Sequence, residues 1–96
     1  MPSIKVKFFG LNDLTSRIGD NQLNLDLDGN TFGDALKQLD NTFGAAFHNA
    51  VLNKQGEVDT TIQVVKNGDE WLSRDGYNQR LEEGDELCFF LMIAGG

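Results

Sequence analysis

Hydrophobic and polar residues alternate in two segments near the start of the chain. In segment 4–9, Ile4, Val6 and Phe8 are separated by lysines, and in segment 23–28 leucines are separated by Asn or Asp. A period of two places the apolar side chains on one face of a β-strand. The polar stretch between them, residues 12–21, predicts a long loop that joins two antiparallel strands.

Helical periodicity begins after Thr31. Apolar residues recur there at spacings of four, three and four: Phe32, Leu36, Leu39 and Phe43. These spacings place them on one face of a helix. Thr31 is a favourable N-cap with Asp34 three positions later, and Gly44 suits the C-terminal end. Phe47 and Val51 predict a further short helical turn.

The second half of the chain predicts three more strands. Residues 62–65 are β-branched and apolar at Ile62, Val64 and Val65, and Asn67-Gly68 is a strong tight-turn dipeptide before a short return strand at 70–72. Leu81 lies between two further turns and is expected to anchor in the core.

The final strand, residues 86–92, is apolar on both faces. Such a strand belongs in the middle of a sheet, because at an edge it would promote aggregation. We expect the odd-numbered residues 87–91 to face the helix and Cys88, Phe90 and Met92 to lie on the open face, where an apolar patch indicates an interaction surface. In the alternative, other side chains cover this patch: Leu11, Leu14 or Trp71.

The order strand, strand, helix, strand, short strand, strand predicts an α+β fold. We expect a mixed sheet of four or five strands with one main helix on one face, which is the β-grasp (ubiquitin-like) arrangement. The final strand would lie beside the first and parallel to it, so the connection is a right-handed crossover. Residues 1–92 would form this domain and residues 93–96 a flexible tail.

Charge narrows the classes of partner. The chain has 96 residues, and its 8 basic and 15 acidic side chains give a net charge of −7. This charge disfavours binding to nucleic acid or to anionic membranes and suits a partner with a basic docking face, although it also serves solubility. The start of the chain alternates like a strand rather than resembling a signal peptide, so we expect a soluble, unprocessed, cytoplasmic protein.

Few residues offer catalytic or metal chemistry. The chain has one cysteine, Cys88, and one histidine, His48, which excludes an internal disulfide, a CxxC motif and multi-histidine metal sites. No phosphate-binding glycine motif is present. We therefore expect no cofactor bound by this chain, with any nucleotide site on another protein. We interpret Cys88 as a small packing residue. In the alternative, its thiol captures sulfur.

The chain ends in Ile93-Ala94-Gly95-Gly96. Glycine has no side chain to block a narrow channel, and the α-carboxylate of Gly96 is ionised at neutral pH. That carboxylate can attack the α-phosphate of ATP when a partner supplies ATP and Mg²⁺. A persulfide can convert the adenylate to a thiocarboxylate, and a lysine amine can convert it to an isopeptide. The alternative is a terminus without a function.

Four segments resemble the MoaD/ThiS family of ubiquitin-like sulfur carriers, with MoaD, the small subunit of molybdopterin synthase, as the closest match. They are residues 4–10, 31–39, 64–68 and 81–90, the last followed by the Gly-Gly terminus. The most specific is the run Gly84-Asp85-Glu86-Leu87 before an apolar strand. Many relatives carry proline before Gly-Gly, where this chain has Leu91-Met92.

The resemblance implies a sulfur carrier, most directly for molybdenum cofactor biosynthesis. An adenylyltransferase of the ubiquitin-activating (MoeB/ThiF-like) type would activate Gly96, and an acceptor such as the large (MoaE-like) subunit of molybdopterin synthase would receive the sulfur. Gly95 and Gly96 would be the reacting segment, with Phe90, Met92, Ile93 and Ala94 binding the partners. Three alternatives stay open: a modifier joined through Gly96 to lysines, a carrier for thiamine, tungsten cofactor or tRNA thiolation, and an adaptor with an unused tail.

Overall fold

Five strands and three helices make up the part of the chain that the computed structural model describes, residues 2–72 and 76–91. In chain order they are β1 (Ser3–Phe9), α1 (Asn12–Ile18), β2 (Gln22–Asp26), α2 (Phe32–Phe43), α3 (Ala45–Val51), β3 (Ile62–Lys66), β4 (Glu70–Leu72) and β5 (Glu86–Leu91). No helix within these ranges is long and apolar enough to cross a membrane.

The strands form one mixed sheet in the order β2-β1-β5-β3-β4. β5 lies in the centre, parallel to β1 and antiparallel to β3, and Phe89 is opposite Phe8 on one side and Val64 on the other. β1 and β2 are antiparallel. The predicted β-grasp fold is confirmed, and so is the central position of the apolar final strand.

The helices pack against one face of the sheet and enclose an aromatic core. Leu87 and Phe89 of β5 are completely buried. The Phe89 ring lies 5.3 Å from the ring of Phe8, 6.2 Å from Phe47 and 6.4 Å from Phe32, measured between centroids. Leu81 is 2% exposed, which confirms its predicted role as a core anchor.

The N-terminus of α2 is closed by a reciprocal capping box. The Thr31 hydroxyl accepts the backbone N–H of Asp34 at 3.2 Å, and the Asp34 carboxylate accepts the N–H of Thr31 at 3.2 Å and that of Asn30 at 3.1 Å. At the other end, the N–H of Gly44 donates to the carbonyl of Asp40 at 2.8 Å. Both predicted ends of α2 are confirmed.

The predicted loop at residues 12–21 is wrong over Asn12–Ile18, which form α1. Leu11 and Leu14 are buried, at 6% and 0% exposure, and Ile18 packs against the core. Leu11, Leu14 and Ile18 are spaced by three and four residues, which places them on one helical face. This pattern has only three apolar members, and the residues between them are polar, so the sequence signal for a helix is weak. Because these leucines lie in the core, they do not cover the open face of the sheet.

The end of β5 is less covered than the rest of the strand. Leu91 faces the helical side with Leu87 and Phe89, as predicted, because it is opposite the buried Ile62. It is nevertheless 38% exposed, and it lines a groove with residues of α1 and α3. The neighbouring hairpin follows the prediction, since Asn67 and Gly68 both have positive φ, 56° and 78°.

Leu14→Ala tests whether α1 is part of the cooperative core. We expect the free energy of unfolding to fall by about 2–4 kcal/mol, because the substitution leaves a cavity beside a fully buried site. Urea denaturation measures the change, with the exposed Ser16→Ala on the same helix as control. A loss as small as that of the control would contradict the core assignment.

The capping box predicts acid sensitivity. Hydrogen bonds from the Asn30 N–H and from Thr31 hold the pKa of Asp34 below its ordinary value of 3.8. A depressed folded-state pKa contributes stability that is present above pH 3.8 and lost as the pH falls through the folded-state pKa. In urea denaturation from pH 7 to 2, Asp34→Asn should lower stability at pH 7 and reduce the loss in acid. Asp69→Asn, in an exposed turn, should leave the pH profile unchanged, and an identical effect of both variants would refute the assignment.

Candidate docking face and attachment of the C-terminal segment

An aromatic pair occupies the open face of the sheet. Strand alternation sends Phe8 and Phe89 inward, so their neighbours Phe9 and Phe90 point away from the helices. The Phe9 and Phe90 rings stack with centroids 5.1 Å apart and planes 14° apart. Phe9 is 42% exposed and Phe90 is half-buried. The predicted position of Phe90 on the open face is confirmed.

A second row of side chains extends the apolar face across the sheet. The register places Trp71 of β4 beside Val65 of β3, Val65 beside Cys88 of β5, and Cys88 beside Lys7 of β1. Trp71 is 64% exposed, whereas Val65 and Cys88 are 7% and 8% exposed. We call Phe9, Val65, Trp71, Cys88 and Phe90 the apolar outer face. Trp71 therefore belongs to this face.

Sequence reasoning did not name Phe9 as a docking residue, and it considered Trp71 only in the alternative in which other side chains cover the open face. Phe9 carried a usable signal, because it follows Lys5 and Lys7 at a spacing of two and so occupies the position where an exposed residue is expected. Trp71 carried none, because β4 has only three residues and its facing depends on the register with Val65.

Cys88 is a packing residue in this structure. Its Sγ lies 3.5 Å from a carboxylate oxygen of Glu86. Burial raises the pKa of the Cys88 thiol, and the Glu86 carboxylate raises the pKa further. A thiolate is the nucleophilic form, so this environment opposes capture of sulfur at neutral pH.

The open face carries lysines beside its aromatic residues. Lys7 Nζ lies 3.4 Å from Glu86 Oε2, with both side chains about one-third exposed. Lys5 is exposed and has no ion pair among residues 2–72 and 76–91. On this face, the charge nearest the aromatic pair is therefore that of lysine.

The C-terminal segment begins at the same end of the sheet as the aromatic pair. β1 and β5 are parallel, so Phe9, Phe90 and Leu91 all lie at their carboxyl ends. Gly10, with φ of 78°, lets the chain turn away closely beside Leu91: a side chain added there would lie 3.3 Å from the Leu91 Cβ. The predicted site residues Met92, Ile93, Ala94, Gly95 and Gly96 lie outside the described residues.

The helical side offers little chemistry of its own. His48 Nδ1 lies 3.4 Å from a carboxylate oxygen of Asp40, and both side chains are more than one-third exposed. Within the described ranges, no three His, Cys, Asp or Glu side chains are grouped so that they could hold a metal ion. A shallow groove of about 370 Å³ beside α2 is lined by residues that include Leu36, Leu52 and Tyr77. Tyr77 has a structural role, because its hydroxyl accepts a hydrogen bond of 2.9 Å from the Val58 N–H.

Two solved structures with lower sequence identity resemble this chain in fold. A putative molybdopterin converting factor, subunit 1, from Pyrococcus furiosus has a TM-score of 0.71 and 19% identity, covering 97% of this chain and 100% of its own. The BexX/CysO complex of Amycolatopsis orientalis gives the same score and identity, with 97% and 99% coverage. In that relative, CysO forms a complex with BexX. At 19% identity these likenesses show the fold alone, so they confirm the MoaD/ThiS-like architecture without a molybdopterin role.

Two relatives are more similar in sequence. Small archaeal modifier protein 3 of Haloferax volcanii is 33% identical over 69 residues, which is 72% of this chain and 73% of the relative. The crystal structure of small archaeal modifier protein 1 from the same organism has a TM-score of 0.77 and 33% identity, covering 98% of this chain and 99% of that one. No model of a known protein family matches the chain. These identities, on a shared β-grasp fold, show that the chain belongs to the ubiquitin-like small archaeal modifier proteins.

Proposed function

We propose that this chain is a ubiquitin-like protein modifier that is joined through the carboxylate of Gly96 to lysine side chains of other proteins. The observation that carries the proposal is the 33% identity over almost the whole chain to small archaeal modifier protein 1, together with the Gly95-Gly96 ending. In this proposal the chemistry rests on a main-chain carboxylate and on partner enzymes.

Activation and conjugation use one acyl group. A Gly96 carboxylate oxygen attacks the α-phosphorus of ATP held with Mg²⁺ by an adenylating enzyme of the ubiquitin-activating type, and pyrophosphate leaves. A lysine amine of the target then attacks the acyl carbon, which forms the amide and releases AMP and a proton. Glycine suits both steps, because a main chain without side chains enters a narrow cleft and approaches phosphate closely.

The apolar outer face is where we place the docking of the adenylating enzyme. The exposed Phe9 and Trp71 and the half-buried Phe90 form an aromatic surface at or near the end of the sheet from which the C-terminal segment departs. Aromatic residues are enriched among those that dominate binding energy at interfaces. Binding here would present the segment to the enzyme while the folded domain stays outside the cleft.

A second candidate function is sulfur carriage, most directly for molybdopterin biosynthesis, with thiamine, tungsten cofactor or tRNA thiolation as other destinations. It is favoured by the turn and strand of residues 81–90 before Gly-Gly, which resemble those of the MoaD/ThiS carriers. The acyl adenylate is the shared intermediate. A persulfide would displace AMP and form an acyl disulfide. A second thiol would then attack the sulfur that came from the persulfide carrier, which forms a disulfide between the two thiol groups and leaves a thiocarboxylate for the acceptor enzyme.

Intact-mass measurement separates the two functions. The chain would be produced in its native host with the adenylating enzyme, and mass spectrometry would be applied to the free protein and to its adducts. A modifier yields larger species with Gly96 linked to lysine, whereas a carrier yields a free chain with sulfur in place of one carboxylate oxygen. A chain that shows neither product, or further residues after Gly96 in the mature protein, would contradict both.

Deletion of Gly96 is expected to abolish adenylation and conjugation while leaving the fold intact. The core of the described chain includes no residue after Phe89, so the melting temperature should stay within about 1–2 °C of the wild type. ATP–pyrophosphate exchange measures activation, and thermal denaturation measures stability. Normal exchange by the shortened chain would show that Gly96 is not the reacting group.

Phe90→Asp is expected to weaken binding to the adenylating enzyme at least about tenfold, because it places a charge at the centre of the apolar outer face. Calorimetric titration without ATP measures the dissociation constant. Asn41→Asp, which adds the same charge to the exposed surface of α2, is the control and should leave affinity unchanged. Because Phe90 is half-buried, Trp71→Asp provides a second variant at a more exposed position. Unchanged affinity in both face variants would place docking elsewhere.

A further inference from the structure

The tight turn at Asn67-Gly68 has a reactivity that the proposed function does not use. It is the only Asn-Gly dipeptide in the sequence. The backbone nitrogen of the glycine can attack the side-chain amide carbon of the asparagine, because glycine has no side chain that hinders the approach. A cyclic succinimide forms and ammonia leaves. Water then opens the ring to aspartate, or to isoaspartate, in which the main chain runs through the former side chain.

In the folded chain, both polar atoms of the Asn67 side chain are held by the segment that begins β5. Nδ2 donates to the Asp85 carboxylate at 3.0 Å, and Oδ1 accepts the backbone N–H of Glu86 at 2.9 Å. The backbone N–H of Asn67 also donates to the Glu86 carbonyl at 2.8 Å. We call these three hydrogen bonds the Asn67 latch. They attach the turn between β3 and β4 to the amino end of the central strand.

The geometry of the turn keeps the reacting atoms apart. Asn67 and Gly68 have φ of 56° and 78°, and the Asp69 N–H donates to the Lys66 carbonyl at 3.3 Å. Two positive φ values at the centre of a hairpin identify a type I′ turn. In this turn the Cβ of the first central residue lies opposite the following nitrogen across the Cα–C bond. The latch must therefore open, and the main chain must rotate, before the Gly68 nitrogen reaches the amide carbon.

We propose that Asn67-Gly68 is a deamidation site that the fold keeps closed and that reacts when the Asn67 latch opens. The reaction is a hydrolysis overall, because one water is consumed and one ammonia is released. It needs no oxidant, metal ion or enzyme. The inference goes beyond the proposed function and is independent of it, since no partner and no step at Gly96 takes part.

The products of deamidation would not rebuild the latch. An aspartate at position 67 still accepts the Glu86 N–H, but it has no proton to donate to Asp85 and places a second carboxylate beside it. An isoaspartate lengthens the main chain, so the turn no longer fits the register between β3 and β4. Asp85 also accepts the N–H of Glu82 at 2.8 Å. Deamidation would therefore loosen the turn that leads into β5.

The first test compares the folded full chain with the same chain denatured in urea, both at neutral pH. Peptide mass spectrometry measures, over time, the fraction of residue 67 in which oxygen has replaced the amide nitrogen. We expect the folded chain to react at least about tenfold more slowly, because the reaction has to break the side-chain hydrogen bonds of the latch. Equal rates in the two states would overturn the proposal.

A pair of variants separates opening of the latch from unfolding of the whole domain. Asp85→Ala removes the acceptor of Asn67 Nδ2 and should speed deamidation in the folded chain about tenfold. Leu14→Ala weakens the core without touching the latch. It should react near the wild-type rate, because local opening is far more frequent than global unfolding. An equal acceleration by Leu14→Ala, or no acceleration by Asp85→Ala, would overturn the proposal.

Hydrogen exchange in the wild-type chain gives a test that needs no variant, which matters if Asp85→Ala does not fold. The Glu86 amide donates to Asn67 Oδ1, so its hydrogen exchanges only after this bond of the latch breaks. The slowing of exchange at Glu86, relative to the denatured chain, should match the slowing of deamidation in the same buffer. Deamidation that is slowed as much as exchange of the Phe89 amide in the core, or much less than exchange at Glu86, would contradict control by the latch.

Discussion

The structure depends on the pairing of β5 along both of its edges. A strand with apolar side chains on both faces is stable in water only when its backbone groups are paired on both sides and its inner face is covered. β1 and β3 supply the pairing, and α2 and α3 help to cover Leu87 and Phe89. The rest of the fold is the set of connections that brings these partners to β5 from distant parts of the chain.

The two faces of β5 have different roles, since one stabilises the core and the other is the proposed recognition surface. Alternation sends Phe89 into an aromatic core with Phe8, and it sends Phe90 out to stack on Phe9. Two adjacent Phe-Phe pairs thus serve opposite faces of one sheet. An exposed aromatic surface promotes self-association, and the net charge of −7 opposes it. The outer face can therefore stay open for a partner in a chain that repels its own copies.

The elements that could be predicted carry their information locally. α2 has an apolar stripe, a capping box and a terminal glycine within fourteen residues, so no distant contact is needed to recognise it. α1 could not be predicted so readily, because its seven residues include a single fully buried side chain, Leu14. A helix of this length is unstable in isolation, and packing on the core stabilises it.

The residues of the docking face also differ in how far the sequence alone could predict their positions. Phe90 was predictable, because it lies in a strand whose two faces are both apolar. The outward position of Phe9 could also be predicted, since its spacing of two from Lys7 places both residues on the same side of the strand. Trp71 depended on a three-residue edge strand whose facing is set only by its register with β3. Leu91 faces the helical side, as alternation predicted, and only the structure shows that it is 38% exposed.

By itself, the sequence determined the β-grasp order of elements, the central place of its most apolar strand and the Gly-Gly ending as the candidate reactive group. Those features follow from side-chain periodicity and from the chemistry of the residues. The tertiary structure alone decided that Trp71 joins Phe9 and Phe90 on one surface. Residues from four strands meet there through hydrogen-bonded register, which is a relation between distant segments that no local pattern encodes.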